Sequence, residues 1–253
     1  RMCGTWRDSR LKKIYIVGIG PGDRNQMTQR ALDAIAESEV IVGYDCYVSL
    51  IGDLADNKEI YSSGMKREKE RCAKAIEYAL LGKTTAVISS GDAGVYGMAG
   101  IVYELAAKHP ELGIEVVPGI TAACSGAALA GAPLVHDFAV ISLSDLLTPW
   151  DKIEKRIRLT AQADFVICIY NPSSKKRADY LSKACGYMLE YKDKSTPCAY
   201  IENIGRDGER CTVCTLEELA HAKTNMFTTV IVGNSETKVI NGKLVTPRGY
   251  KDI

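Results

Sequence analysis

The sequence predicts an α/β protein made of two α/β domains. Up to about residue 133, short apolar runs alternate with amphipathic stretches, and this order predicts a mostly parallel sheet with right-handed crossovers. In the second half, two strand-like runs flank Gly205-Arg206-Asp207-Gly208, and this hairpin signal predicts a mixed sheet. We therefore expect an N-terminal domain over residues 13–133, a C-terminal domain over residues 134–253, and an active site in the cleft between them.

The individual elements follow from apolar periodicity and from helix-end signals such as Thr28, an N-cap, and Gly82, a helix stop. In the N-terminal half we predict strands over residues 14–19, 39–44, 84–88 and 114–117, and helices over 28–38, 66–81, 100–108 and from about Thr121 to 133. In the C-terminal half we predict strands over 136–143, 163–172, 198–205, 210–216, 226–233 and 239–245, and helices over 151–160, 174–191 and 215–222.

Composition excludes several classes of function. Lys and Arg number 32 and Asp and Glu 31, so the net charge of +1 gives no electrostatic reason to expect nucleic acid or a membrane surface as a partner. No apolar run approaches the roughly 20 residues that cross a bilayer. Residues 1–12 contain no apolar segment of the signal-peptide kind, and we expect them to be a tail outside the fold, disordered or introduced by cloning.

The nine cysteines are scattered and odd in number, which is typical of reduced thiols in a cytoplasmic protein. Cys211 and Cys214 are the one close pair, and their odd spacing puts them on opposite faces of a strand. A zinc ribbon needs a second pair at suitable spacing, and the sequence has none. We therefore predict no metal site.

Two glycine-rich loops follow predicted strands and mark the ligand site. The first, GIGPGD at residues 18–23, departs from the dinucleotide fingerprint, because Asp23 stands where the third glycine belongs and Pro21 lacks an N–H. The second, SSGDAGVYGMA at residues 89–99, combines three glycines with Asp92 directly after a buried strand. Carboxyl ends of strands are where open α/β sheets bind small molecules, so both loops predict ligand contact.

The sequence offers few reactive side chains. It has three histidines, of which His136, ahead of a strand at the domain junction, is the candidate acid or base. It lacks the G-x-S-x-G motif of acyl-transfer enzymes, and Gly82-Lys83-Thr84 only imitates the end of a P-loop. Loops that enclose a ligand, with little catalytic chemistry around them, suit a reaction driven by a bound cosubstrate.

Taken together, the motifs resemble the tetrapyrrole (corrin/porphyrin) methyltransferases, the class III S-adenosylmethionine enzymes. The resemblance covers residues 13–248 and is carried by VGIGPGD, GYDCYVSLI, SSGDAGVYGMAG, VPGITAA, DFAVISLSDLLTPW, YNPSSKKR, ENIGRDGE and TTVIVGNS. The SSGDAGVYGMAG and DFAVISLSDLLTPW blocks most resemble the branch that methylates carbon 17 of precorrin-3B or cobalt-factor III. That resemblance implies a role in cobalamin biosynthesis.

The resemblance also implies the ligands and the residues that hold them. S-adenosyl-L-methionine, which leaves as S-adenosyl-L-homocysteine, would contact Pro21, Gly91, Asp92, Val95, Thr121, Ala122, Tyr170, Asn171 and Thr229. The family reaction methylates the macrocycle and contracts its ring, and the candidates for moving protons are Asp23, Tyr44, Asp45 and His136. The macrocycle is a polycarboxylate, so Lys66, Arg67, Lys175, Lys176 and Arg177 are candidate charge partners, although each equally suits a solvated surface. The family usually forms homodimers.

Three other interpretations stay open from the sequence. An NAD-dependent oxidoreductase would need a third glycine at Asp23 and an acid closing the second strand, for which Asp45 is the one match. Diphthine synthase would share the fold but act on a protein, and the SSGDAGVYGMAG block argues against it. A nucleotide-binding regulatory module would bind the cosubstrate without turnover.

Overall fold

The computed structural model describes residues 12–174 and 177–251 and consists of two compact units. The first unit ends at Thr121 and the second begins at Ala122, whereas the sequence placed the boundary near residue 133. Lys12 already belongs to the first strand, and the rest of the predicted tail lies outside the described residues.

The first unit is a five-stranded sheet with helices on both faces. Its elements are β1 (Lys12–Gly18), α1 (Gln29–Glu37), β2 (Val40–Tyr44), α2 (Asp45–Leu50), β3 (Glu59–Ser63), α3 (Glu68–Leu80), β4 (Thr85–Ser89), α4 (Ala99–Ala106) and β5 (Leu112–Val117). The strand order is β3-β2-β4-β1-β5, and every pairing is parallel. All five carboxyl ends therefore lie along one edge of the sheet, and the loops that leave them share that edge.

The apolar pattern of the strands explains the two layers of this unit. On one face, Val42 and Val87 pack with α3 and α4; on the other, Ile41 and Ile88 pack with α1 and α2. Thr28 caps α1 as predicted, because its side chain accepts a hydrogen bond from the N–H of Ala31. The strand β3 and the helix α2 were not predicted from the sequence. The edge strand β3 is mostly exposed and so lacks the continuous apolar run of its neighbours.

The second unit is built on a mixed sheet, as predicted. Its elements are α5 (Ala122–Ala130), β6 (Gly131–Ala132), β7 (Phe138–Ser142), α6 (Trp150–Gln162), β8 (Val166–Tyr170), α7 (Tyr180–Met188), β9 (Pro197–Glu202), β10 (Arg210–Thr215), α8 (Leu216–Leu219), β11 (Thr228–Val232), β12 (Lys238–Ile240) and β13 (Lys243–Val245). The order is β10-β9-β11-β8-β7, in which β7 and β8 are parallel and the other pairs are antiparallel. A small sheet, β12-β13-β6, completes the unit.

The small-residue helix α5 explains why the boundary falls early. Ala123, Ala127 and Ala130 are buried against Cys168 and Ile201 of the second sheet. This helix was predicted to belong to the first domain, because an alternating order of elements does not show which sheet a helix covers.

Three further predictions can be compared with the second unit. The hairpin around residues 205–208 is confirmed by the antiparallel pairing of β9 and β10. Cys211 and Cys214 do face opposite sides, since the first packs toward α5 and the second toward α6 and α7. The single strand predicted over residues 239–245 is wrong, because Asn241 and Gly242, with φ of 50° and 75°, turn the chain into a hairpin.

Candidate active site

The loops that follow β1, β4 and β5 meet at the carboxyl edge of the first sheet. Gly20 and Gly91 exchange two backbone hydrogen bonds, of 3.0 and 2.7 Å, that join the first two loops. A Cβ atom on Gly119 would come within 2.2 Å of the Gly91 carbonyl oxygen, and one on Gly18 within 2.7 Å of the Gly119 nitrogen. These glycines therefore allow backbone to pack on backbone, whereas the sequence had suggested that they make room for a ligand.

Asp92 connects the same loops through its carboxylate. One oxygen accepts hydrogen bonds from the N–H groups of Gly94 and Val95, at 2.7 and 3.1 Å, and the other accepts from Gly119 at 3.0 Å. The side chain fixes the β4–α4 loop and ties it to the β5–α5 loop. Asp92 therefore organises the site, and its oxygens already have backbone partners.

The other predicted cofactor residues of the first unit line the same edge. Pro21 is buried in the β1 loop, Val95 is exposed on the β4–α4 loop, and Thr121 is half-buried after β5. Directly below these loops the structure shows a residue that the sequence analysis did not assign. The hydroxyl of Ser89, at the end of β4, is buried and has no hydrogen-bond partner among the described residues. In the sequence, the one feature that could have indicated Ser89 is a hydroxyl residue at the end of an apolar strand.

Three of the four predicted proton carriers lie along this edge. Asp23 is exposed, and its carboxylate accepts a hydrogen bond from the N–H of Asn25 at 2.8 Å. Tyr44 ends β2 and Asp45 begins α2, so both sit one strand away from β4. The structure thus brings Asp23, Tyr44 and Asp45 to the sheet edge that carries the glycine loops.

In the second unit the predicted cofactor residues gather at the carboxyl end of β8. The Tyr170 hydroxyl accepts a hydrogen bond from the Ala123 N–H at 2.7 Å, next to Ala122 at the start of α5. The Asn171 amide donates to the Ser142 hydroxyl at 3.0 Å. Thr229 is buried on β11. The next residue, Val230, pairs with Ile169 in antiparallel register, so Thr229 lies beside the carboxyl end of β8.

His136 stands apart from that group. It is exposed and precedes β7, so it lies at the amino-terminal end of the strand whose carboxyl end carries Ser142. A strand of this length separates the two ends by about 13 Å. Within the second unit, the structure does not bring His136 near Tyr170 or Asn171.

Comparison with known proteins identifies the family. A family model described as Tetrapyrrole (Corrin/Porphyrin) Methylases matches residues 13–220. The chain belongs to this family. The predicted resemblance is therefore confirmed, and the glycine loops and the Asp92 contacts belong to a tetrapyrrole methylase.

Two relatives of this methylase are named as methyltransferases of cobalt-factor III. The chain is 47% identical to the cobalt-factor III methyltransferase of Priestia megaterium, covering 94% of this chain and 45% of that protein. It is 46% identical to a probable cobalt-factor III C(17)-methyltransferase of Salmonella typhimurium, covering 94% of this chain and 99% of that protein. The solved structure of the methyltransferase CobJ is 34% identical, with a TM-score of 0.86 over 92% of this chain and 99% of CobJ. The two-unit α/β fold predicted from the sequence is thereby confirmed.

The cationic side chains proposed for the macrocycle differ in their partners. In this methylase Arg67 pairs with Glu70 at 2.5 Å, and Arg177 pairs with Asp145 at 2.5 Å. Lys66 is exposed, and no described carboxylate pairs with its ammonium group. Lys175 and Lys176 lie outside the described residues. Lys66 is therefore the predicted charge partner that keeps its charge available.

The described thiols are free, and burial makes several of them inert. Desolvation raises the pKa of Cys72 to about 11 and that of Cys168 to about 12. Thiolates are the nucleophilic form of cysteine, so neither residue is suited to nucleophilic attack. Among the described residues no group of three or more His, Cys, Asp or Glu side chains could hold a metal ion, and no helix is long and apolar enough to cross a membrane.

A surface cavity of the methylase lies away from the glycine loops. It measures about 420 Å³ and is lined by Tyr103, His109, Leu112 and neighbouring residues at the start of β5. The start of β5 is at the opposite edge of the sheet from Gly119, so this cavity is separate from the glycine loops.

Proposed function

We propose that the protein transfers a methyl group from S-adenosyl-L-methionine to carbon 17 of cobalt-factor III and contracts the ring, a step of cobalamin biosynthesis. The family match and the two relatives named for cobalt-factor III support this reaction. Precorrin-3B, the metal-free counterpart, is the alternative substrate. A diphthine synthase-like reaction has less support, since both relatives are named for a corrin precursor.

The cofactor assignment depends on the glycine platform, by which we mean the packed backbone of Gly18, Gly20, Gly91 and Gly119, and on the buried hydroxyl of Ser89 beneath it. Ser89 lacks a partner among the described residues, and such a group suits a site that accepts a polar ligand. Pro21, Gly91, Val95 and Thr121 would hold the cofactor at this edge, with Asp92 holding the loops in place. In the second unit, Ala122, Tyr170, Asn171 and Thr229 stay predictions for the same cofactor.

The chemistry explains why the site is poor in reactive side chains. S-adenosylmethionine supplies a methyl group activated by a sulfonium, so transfer depends on orientation more than on a strong base. Ring contraction needs proton movement at oxygen, for which Asp23, Tyr44 and Asp45, at the same sheet edge as the glycine loops, are the candidates. The predicted role of His136 as an acid or base stays a prediction, and its position in the second unit does not support it. We also propose that the enzyme acts as a homodimer in the cytoplasm.

Calorimetric titration with S-adenosylhomocysteine, beside an NADH titration of the same sample, tests the cofactor. We expect one-site binding of S-adenosylhomocysteine and none of NADH. Binding of NADH alone would refute the methyltransferase assignment and favour an oxidoreductase. A protein that binds S-adenosylhomocysteine but turns over neither macrocycle would instead be a regulatory module.

Single-turnover assays with cobalt-factor III and with precorrin-3B, read by mass spectrometry, test the macrocycle. The expected product is heavier by one methyl group, and cobalt-factor III should react faster. Faster reaction of precorrin-3B would reverse the substrate assignment while leaving the methyl transfer intact.

A further inference from the structure

Backbone strain in the described chain is concentrated at one sheet edge. Seven non-glycine residues have positive φ angles, and five of them are Asn or Asp, whose side chains tolerate that conformation. The other two are Lys66, with φ of 67°, and Tyr96, with φ of 54°. Lys66 lies in the loop after β3 and Tyr96 in the loop after β4, so both belong to the carboxyl edge that carries the glycine platform.

The loop that displays Lys66 is held by a buried arginine. One nitrogen of Arg71 donates to the Ser63 hydroxyl at 3.1 Å and to the Gly64 carbonyl at 2.8 Å. The N–H of Lys66 itself donates to Glu68 at 3.2 Å. A strained residue persists only where its surroundings fix it. These bonds hold the backbone around Lys66 and leave its side chain exposed.

The loop that displays Tyr96 is held in a comparable way. Asp92 binds the N–H groups of Gly94 and Val95, and the Ala93 carbonyl accepts a hydrogen bond from Ala99 at 3.0 Å. A Cβ atom on Gly97 would lie 2.3 Å from that carbonyl oxygen, so the loop closes tightly behind Tyr96. The tyrosine nevertheless remains 58% exposed. Strained residues cluster at active sites and ligand clamps, so the exposed ring of Tyr96 is a candidate ligand contact.

We propose that Lys66 and Tyr96 bind the macrocycle, Lys66 through a carboxylate and Tyr96 through the ring face; this rests on the proposed function. The strand order β3-β2-β4 places their loops two strands apart, a separation of about 10 Å. Lys66 is the one predicted charge partner, within the described ranges, whose ammonium no carboxylate neutralises. A flat polycarboxylate presents both features that these side chains recognise, an anionic rim and a polarisable face.

Asparagine substitutions test the pair without adding strain. Lys66→Asn and Tyr96→Asn both keep a residue that tolerates positive φ, so neither adds backbone strain. We expect the melting temperature of Lys66→Asn to rise by about 2–6 °C. We expect KM for cobalt-factor III to rise about 5- to 30-fold in Lys66→Asn and about 3- to 10-fold in Tyr96→Asn. Lys66→Arg and Tyr96→Phe keep the charge and the ring, and they should stay within about threefold of wild type.

Two readouts separate this inference from a merely structural role. The affinity for S-adenosylhomocysteine should be unchanged in all four variants. Raising the salt concentration should raise the wild-type KM but affect Lys66→Asn less, because the screened ion pair is already absent. Matched controls are Lys69→Gln, an exposed lysine on α3, and Asn57→Gly, another exposed residue with positive φ; neither should change KM.

If the wild type is active and KM is unchanged in both asparagine variants, the inference about Lys66 and Tyr96 is wrong. The proposed function would still stand in that case. An equal loss of S-adenosylhomocysteine affinity would also overturn it, because the two side chains would then serve the cofactor. A wild-type protein that binds no S-adenosylhomocysteine and methylates no macrocycle would refute the proposed function, and this inference with it.

Discussion

Gly119→Ala tests whether the glycine platform exists for backbone packing or for ligand contact. The new Cβ atom would lie 2.2 Å from the Gly91 carbonyl oxygen and 2.6 Å from the Gly18 carbonyl group. Both contacts are to backbone, so neither can be relieved by a side-chain rotation. The β1, β4 and β5 loops would have to separate. Their separation would also weaken the 3.0 Å bond between the Gly119 N–H and Asp92.

The magnitude follows from these contacts. Overpacking a well-packed site costs about 1–3 kcal/mol, and a clash with two backbone segments belongs at or above the upper end of that range. A loss of about 3 kcal/mol in the free energy of unfolding corresponds to a fall in melting temperature of about 6–12 °C for a chain of this size. The loss should appear in the ligand-free protein.

Thermal and urea unfolding of the ligand-free protein measures this change. Gly100→Ala is the matched control, since Gly100 lies in α4 and its Cβ would meet nothing within 4 Å. A helical glycine replaced by alanine should stabilise the protein by about 0.5–1 kcal/mol. If Gly119→Ala unfolded like wild type and lost only its affinity for S-adenosylhomocysteine, the glycine would serve the ligand and our interpretation of the platform would be wrong.

Two predictions concern the second unit. Tyr170→Phe removes the hydroxyl that accepts a hydrogen bond from the buried Ala123 N–H, so the free energy of unfolding should fall by about 1–3 kcal/mol in urea titrations; an unchanged midpoint would show that the bond contributes nothing. The Tyr180 hydrogen bond and then the Arg177 guanidinium lower the pKa of Asp145. Its stabilising contribution is therefore complete above the unfolded pKa of about 3.9 and is lost as the pH falls through the lower folded value. The stability difference between wild type and Asp145→Asn should accordingly be constant near neutral pH and shrink below about pH 4, and a difference that grew on acidification would contradict this assignment.

Much of the fold could be predicted because local signals and tertiary packing agree. The buried strands β1, β4 and β8 show continuous apolar runs, and Thr28 is an N-cap in both the sequence and the structure. The edge strand β3 was missed because an exposed strand has no such run. The turn at Asn241-Gly242 was a readable hairpin signal that the apolar residues on either side obscured.

The position of the glycine loops was predictable, but not the way in which they pack. Strand ends followed by glycine and Asp92 predicted loops at the carboxyl edge of the sheet, and the structure has them there. The sequence could not show that Gly119 packs on Gly91, or that Asp92 is occupied by three N–H groups, because both depend on how separate loops meet. Nor could it show strain at Tyr96, since a φ angle is a property of the folded backbone.

The use of Asp92 inside the platform has an electrostatic consequence for the substrate. A macrocycle with several carboxylates is repelled by free acidic side chains on the surface that binds it. Backbone N–H groups donate hydrogen bonds to the Asp92 carboxylate and so stabilise its negative charge. Asp45 lies close enough to Arg67 for the two charges to attract each other. In the proposed function, the sheet edge would therefore retain carboxylates for loop geometry and proton transfer, while Lys66 would keep an unpaired positive charge for recognition of the macrocycle. In this arrangement glycine substitutions should act mainly on stability, and substitutions at Lys66 or Tyr96 mainly on KM.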